Sequence, residues 1–381
     1  MRICVVSGLG RVWSDYHPSV LDHDGPTTVG GGEAALLRTS FGLAARGHQV
    51  TAFVPLSGKP CTYRSARFQH LRDAYPALTS GEFDAVISWS DPTAIRIAPE
   101  ATRRVYAQQL NDMPPDGAFW EAVDTIVPAS ATHGRFLQQW QPAGCDVAWV
   151  PLYGGVVPEL YKDAVPFASR KPVVSWWSSP DRGLHHLLIM WPWIRKAVPK
   201  AELRIAYHMQ RFIEDARELY SFGEAPWRAR LLDAALQAAR KVGGVKVLGP
   251  ISRRALSQHQ GETKVWAMPF DGIVPTEGLQ VSCAEAIAAG CYCISRPDDA
   301  LREVYDGCVE WVESPLCDDA WRQRFARAVV QALLQMVNPH AQAQAQFAAA
   351  FTWEVAALQL ERACQLASTR LTSPSGIYQG M

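Results

Sequence analysis

The stretch Pro275-Thr-Glu-Gly-Leu-Gln-Val-Ser-Cys-Ala-Glu-Ala-Ile-Ala-Ala-Gly290 sets two acids, Glu277 and Glu285, around the start of a short Ala-rich helix. Gly278 follows the first acid, and Gly290 suits the left-handed position just past a helix end. The apolar run Cys291-Tyr-Cys-Ile294 then predicts a buried strand. A loop running into a helix N-terminus offers backbone N–H groups that favour an anion such as phosphate. A carboxylate one or two turns further in is placed to hold sugar hydroxyls. Ser282-x-x-Glu285 also fits a capping box, with Glu285 satisfying a backbone N–H. Both readings are open at this point.

Outward from this segment the chain alternates strand and helix patterns. Residues 2–7 are apolar and β-branched and predict the first strand. Gly8-Leu-Gly-Arg-Val-Trp13 narrowly misses G-x-G-x-x-G, and the next strand, 49–54, runs into Pro55 with no acid to close it. Both features argue against a dinucleotide site. Asp22-His-Asp24 is formally a D-x-D, but it lies in a polar loop and reads as a solvated turn. Gly30-Gly-Gly-Glu33 opens a helix reaching residue 46, with Leu37, Phe41 and Ala44 on one face. Glycines ahead of a helix let backbone amides approach a phosphate or sugar, or simply make the turn.

Strands are expected at 85–88, 104–106, 125–128 and 147–150, and in the second half at 172–177, 199–205, 245–248 and 265–269. Such alternation predicts parallel sheets, whose ligands lie outside the carboxyl ends of the strands. Asp91, Gln108 and Gln109 follow strand ends and are acceptor-side candidates, together with Asp15 and His17 in the first loop. His133 reads as a surface or cap residue.

The composition bounds the rest. The 381 residues suffice for two domains, and the formal net charge of +0 gives no overall footprint for nucleic acid or an acidic membrane. No apolar run is long enough to span a bilayer, and the first residues enter a strand directly, leaving no room for a signal peptide. Nine cysteines without C-x-x-C spacing fit small buried hydrophobes in a reducing compartment, which places the protein in the cytoplasm. Fourteen Trp suggest aromatic-lined clefts.

The segment from Glu277 to Gly290 resembles the E-x7-E signature of family 4 retaining glycosyltransferases, E-G-x-G-x-x-x-x-E-A-x-A-x-G. The match falls on Glu277, Gly278, Glu285, Ala286, Ala288 and Gly290. Gln280 stands where the family has a second Gly, which is expected to crowd the loop near the donor. Further resemblances follow in the family's order. Gly30–Gly32 match its donor-facing loop, and Arg182-Gly183 its basic-Gly pair, with Trp177 in place of an earlier Arg. Gly249-Pro-Ile-Ser-Arg-Arg254 resembles the loop that meets the nucleotide base, and Phe351-Thr-Trp-Glu354 the closing helix. The family has a His where Gln108 or Gln109 stands.

This resemblance implies the GT-B architecture, two Rossmann-like α/β domains, each a doubly wound parallel sheet, facing across a cleft. Residues 1–155 would form the acceptor-side domain, 156–170 the linker and 171–350 the nucleotide-sugar domain. Residues 351–368 would cross back as a helix, and 369–381 would be a tail. The implied activity is transfer of a sugar, of hexosyltransferase type, from a UDP- or GDP-sugar to a hydroxyl acceptor with retention. Glu277 and Arg182 would be catalytic. Gly31, Gly32, Ile251, Arg253, Gly278, Leu279, Gln280 and Glu285 would bind the donor, with no metal and no permanently bound cofactor. A glycan, a small molecule and a modified nucleic acid are all open as acceptors. The alternatives are a nucleotide-sugar epimerase of the same fold, or a binding module that lost catalysis through Gln108, Trp177 and Gln280.

Overall fold

Arg2-Ile-Cys-Val-Val-Ser7 is buried from Ile3 onward, as a strand covered on both faces must be. In the computed structural model this strand, β1 (Arg2–Ser7), lies inside the first of two sheets. The structure describes residues 1–7, 15–22, 29–114, 116–218, 225–271, 278–298, 300–313 and 317–366. The chain divides into two α/β units. One comprises Met1–Leu21, Val29–Gly154 and the helix from Trp353, and the other Gly155–Thr352.

The first sheet continues through β2 (Gln49–Val54), β3 (Cys61–Tyr63), β4 (Ala66–His70), β5 (Ala85–Trp89), β6 (Arg103–Gln108), β7 (Thr125–Pro128) and β8 (Ala148–Trp149), in the order β3-β4-β2-β1-β5-β6-β7-β8. All neighbours are parallel except β3 and β4, a hairpin closed by Arg64 and Ser65, both at positive φ. Two residues at positive φ give the turn whose twist suits a tight hairpin. Ile3 pairs with Val50 on one side and Ala85 on the other, so the chain order reverses between β1 and β5.

Helix Gly31–Ala45 follows β1 and packs on helix Trp353–Gln365 at the end of the described chain. Gly42 permits the close approach, since a Cβ there would stand 2.5 Å from the Cβ of Ala357. At one end of this contact Glu361 joins Arg46, at 2.5 Å, and His48, at 3.0 Å.

The second sheet runs β11 (Val245–Val247), β10 (Glu202–Ile205), β9 (Val173–Trp176), β12 (Val265–Met268), β13 (Tyr292–Ser295) and β14 (Glu310–Trp311), every pair parallel. Its order reverses between β9 and β12. Trp176, Trp191, Trp266 and Trp321 are fully buried in this unit's core. These tryptophans therefore build the core, where the composition suggested cleft walls. Three of them pair the indole N–H with a carbonyl, at Ser178, Gly243 and Val312, as buried indoles require.

Residues 156–170, expected to link the domains, pack onto this same unit. Tyr161 donates to Gln260 at 2.9 Å. The buried Arg170 guanidinium donates to the carbonyls of Val165, Thr263 and Ala289 at 2.6–2.7 Å. Cys4, Cys283, Cys291 and Cys293 are buried free thiols, and burial pushes Cys291 up to about 12. No described helix is long and apolar enough to cross a membrane.

Replacing Gly42 with Ala should lower stability by about 1–3 kcal/mol through overpacking, more than the roughly 1 kcal/mol gained in helix propensity. Thermal melts check this. In the Gly42→Ala/Ala357→Gly double variant, part of the loss should return.

Candidate active site

Each sheet reverses its strand order once, and the carboxyl ends of the strands flanking a reversal are where open α/β sheets bind ligands. Both places hold residues singled out in the sequence.

In the second unit, β9 is followed by the short turn Pro180–Arg182, and β12 by Pro269-Phe270-Asp271. The two loops meet at Gly183, whose φ is +112° and where a Cβ would stand 2.1 Å from the Pro269 carbonyl oxygen. Only glycine fits. The Asp271 N–H donates to the Arg182 carbonyl at 3.3 Å, fixing Arg182 at this edge with its side chain partly exposed. Helix Val281–Ala288 starts beside them, its first bond running from the Cys283 N–H to the Gln280 carbonyl.

The loop that Gln280 was expected to crowd, residues 272–277, lies outside the described residues. The Gln280 side chain is buried, and its amide N–H group donates to Ser178 at 2.8 Å and Ser282 at 2.9 Å. Tyr305 donates to the Gln280 carbonyl at 2.8 Å, and Trp177 to the Ser282 carbonyl at 3.2 Å. The two residues that depart from the family pattern, Trp177 and Gln280, thus brace the helix start from within.

The helix begins before Ser282, so the capping-box geometry is absent. Glu285 is only 4% exposed and pairs with Arg253 through one oxygen and with the Gln260 amide, at 2.9 Å, through the other. Desolvation disfavours the Arg253 charge, and Glu285 and Tyr161 beside it outweigh this and raise its pKa. Ile251 immediately precedes Ser252, the cap of helix Arg253–Glu262. Gly278 and Leu279 are half-buried at the approach to the helix. Glu277 lies outside the described residues.

A cluster the sequence reading missed adjoins this edge. His185, His186 and Asp271 offer ligand atoms within 4.8 Å of one another. Arg322, however, donates to His186 Nδ1 at 3.0 Å, so the neutral ring carries its proton on Nε2 and donates to Asp271 at 3.0 Å. Metal-bound histidines instead donate from the nitrogen that does not bind metal. The residues form a hydrogen-bonded chain and do not fit a metal site. The adjacent histidines just after Gly183 were the available signal.

In the first unit, a cavity of about 240 Å³ lies outside the ends of β1, β5 and β6. It takes in Gly31, Gly32 and Gln109 from the sequence reading, and adds Glu33, Trp89 and Ser90, which that reading missed. The Glu33 carboxylate folds back over Gly30, where a Cβ would stand 2.6 Å from Oε2. Burial raises the Glu33 pKa, against the pull of the Glu33 and Gly30 N–H groups bonded to its carboxylate. Ser90 sits at φ +52°, a conformation that costs a non-glycine residue about 1–3 kcal/mol and gathers at functional sites. Its hydroxyl accepts from the Gln109 N–H at 3.1 Å.

The other acceptor-side candidates lie elsewhere. Gln108 is buried, and its side chain closes the turn to Asp112 and accepts from the N–H groups of Gln109 and Leu110. Asp91 is buried and accepts from the Thr93 N–H at the next helix start. His17 is tied to Ser19 and Cys61, and Asp15 is exposed. In the D-x-D loop, Asp22 is exposed, and His23 and Asp24 lie outside the described residues.

His133 is not at the surface. It is fully buried beneath this cavity's rim. Nδ1 accepts from the Ala129 N–H at 3.1 Å, so Nε2 holds the proton and donates to the Leu110 carbonyl at 3.0 Å. Leu110 lines the cavity, which makes His133 the post on which that rim rests.

Neither the protein-family models nor the curated proteins give a match to the sequence. Solved structures do. HepE of Anabaena, in complex with UDP and glucose, superposes with a TM-score of 0.66 at 15% identity over 96% of this chain and 99% of that one. Sucrose-phosphate synthase of Thermosynechococcus elongatus gives 0.64 at 14% identity over 95% and 97%. AviGT4, a glycosyltransferase of avilamycin A biosynthesis, gives 0.65 at 15% identity over 96% and 97%. The chain has the GT-B fold. At these identities the likeness carries the fold and leaves activity to be argued from the sites.

Burial holds His133 neutral and its pKa low. Its contribution to stability is therefore intact above the ordinary histidine pKa of about 6.5 and is lost as pH falls from there through the lowered native value. His133→Gln, which keeps a donor toward Leu110, should melt with less loss between pH 7.5 and pH 5.5 than the wild-type chain. Equal losses would exclude this role.

Proposed function

We propose that the chain is a retaining glycosyltransferase of the E-x7-E type. It moves a sugar from a nucleotide diphosphate sugar, bound at the second unit, to a hydroxyl acceptor at the first. The observation that supports this best is the placement of Arg182-Gly183 and the start of helix Val281–Ala288 at the strand-order reversal of the second sheet. It occurs in a chain whose fold matches solved glycosyltransferases, and one matching structure holds UDP and glucose.

Departure of the nucleoside diphosphate leaves negative charge on the β-phosphate. Arg182 offers a planar guanidinium suited to two phosphate oxygens. The helix start adds backbone N–H groups already oriented for an anion. These groups cost no reorganisation as charge develops, so they act in place of a metal ion. Glu277, assigned from the sequence motif, would touch the donor sugar and favour an oxocarbenium-like transition state. Glu285, fixed by Arg253 and Gln260, keeps lone pairs for the ribose hydroxyls. Ile251 and Arg253 would border the base. The acceptor hydroxyl would attack from the face the diphosphate leaves, without an enzyme nucleophile. Gln109 is the acceptor-side candidate that best fits this scheme, because it lines the cavity.

Incubation with UDP- and GDP-sugars, following hydrolysis and transfer, tests the proposal. Arg182→Ala should lower kcat by about 10²–10³-fold, the usual effect of removing one oriented donor from a developing anion. Glu277→Ala should cost far more than Asp22→Ala. Tight nucleotide binding without turnover of any sugar nucleotide would make the chain a binding module, and equal effects at Glu277 and Asp22 would reject the site.

A further inference from the structure

The cavity of the first unit presents donors that no described residue uses. Trp89 is only 6% exposed, yet among the described residues its indole N–H has no hydrogen-bond partner. It points at the start of helix Gly31–Ala45, where a Cβ built on Gly32 would stand 4.0 Å from Nε1. The first bond of that helix is from the Ala34 N–H to the Gly30 carbonyl, which leaves the preceding N–H groups outside the ladder. The Glu33 carboxylate takes those of Gly30 and Glu33 itself. Those of Gly31 and Gly32 meet no acceptor among the described residues and stand beside the indole N–H. A buried donor without a partner in the free protein is one that a ligand completes.

The charge of the cavity narrows the ligand. Among the described residues that line it, Glu33 is the one ionisable side chain, and there is no Lys, Arg or His. A phosphate would set two further negative charges beside a half-buried carboxylate, with no cation among the described lining residues to offset them. A sugar hydroxyl meets the same groups without that penalty, because it donates to Glu33 and accepts from the indole or a glycine N–H. Leu36, Leu110 and the indole supply apolar wall for the C–H faces of a sugar ring.

We propose that this cavity binds a neutral, unphosphorylated sugar ring, the acceptor of the transfer reaction, and that Trp89 Nε1 donates a hydrogen bond to one of its oxygens. Its role as acceptor rests on the glycosyl-transfer reading, whereas the binding itself does not. Trp89 then sets specificity by rejecting rings with no oxygen at the position facing Nε1.

The test is titration of the full chain with glucose, galactose and mannose, each beside its 6-phosphate, by calorimetry or saturation-transfer NMR. At least one free hexose should bind, and its 6-phosphate at least about tenfold more weakly. Trp89→Phe keeps the ring and removes the N–H, and should weaken the hexose about tenfold with UDP and GDP affinity unchanged. Gly32→Ala, whose methyl meets only the indole N–H, keeps the test open should the Trp89 variant fail to fold, and should weaken the hexose by a similar factor. Phosphorylated sugars binding as well as free ones, no sugar binding, or folded variants with wild-type affinity would each overturn the proposal. Hexose binding lost in both variants, with no transfer from any sugar nucleotide, would uphold this site and reject the transfer reading. Transfer with an unchanged acceptor KM in Trp89→Phe would do the reverse.

Discussion

The second unit's site depends on one backbone contact. Gly183 brings the loop after β9 against the carbonyl of Pro269 in the loop after β12, so closely that no side chain fits between them. Two strands that are neighbours in space and far apart in sequence thereby deliver their loops to one edge with almost no freedom. Arg182 gains its place from this contact. Asp271, its backbone fixed to the Arg182 carbonyl, accepts from the buried His186, which in turn accepts from Arg322. Catalytic groups set on such a frame lose little entropy when a ligand arrives, which is how pre-organisation raises affinity and rate.

Around that contact, polar side chains are consumed by architecture. Trp177 and Gln280, whose identities depart from the family pattern, spend their N–H groups on Ser282, Ser178 and the helix between them. The result is a helix start held from below with its open end outward. The first unit follows another rule. There the glycines at the helix start carry no side chains, the acid turns back on its own backbone, and the indole N–H is left over. Among the described residues, the first unit's site thus has a hydrogen bond still to make.

Much of this was legible in the sequence. The β-branched runs at 2–7, 49–54, 125–128 and 265–268 read as strands because burial on both faces demands that composition. The hairpin of β3 and β4 did not, because Arg64 and Ser65 adopt positive φ without the Asn-Gly pattern that announces such a turn. Motif residues such as Arg182, Gly183 and Gln109 lie at strand ends, as expected. Gln108 and Asp91 share that position, but the side chain one residue along a strand faces the opposite way, and theirs turn inward. Parity of this kind is invisible until the strand end is known to the residue. His133, read as a surface or cap residue, does accept from the Ala129 N–H at the helix start, but it is buried: helix periodicity assigned no face to a segment of seven residues, and tertiary packing decided. Trp89 gave no motif at all, since an unpaired indole becomes meaningful only when its surroundings are counted.

The three carbonyls gathered by Arg170 bear on how such a chain can be recombined. Val165, Thr263 and Ala289 belong to three separate stretches of one unit, and a single guanidinium binds them to the segment that precedes β9. The connecting peptide is thus part of the downstream module and not a loose tether. An exchange of upstream halves between related chains keeps this anchor if the crossover falls near Gly154, and loses it if the crossover falls between Arg170 and β9 and the other parent has no arginine there. Modularity in this protein has its seam at a glycine, at the upstream edge of the stretch that composition marks as a linker.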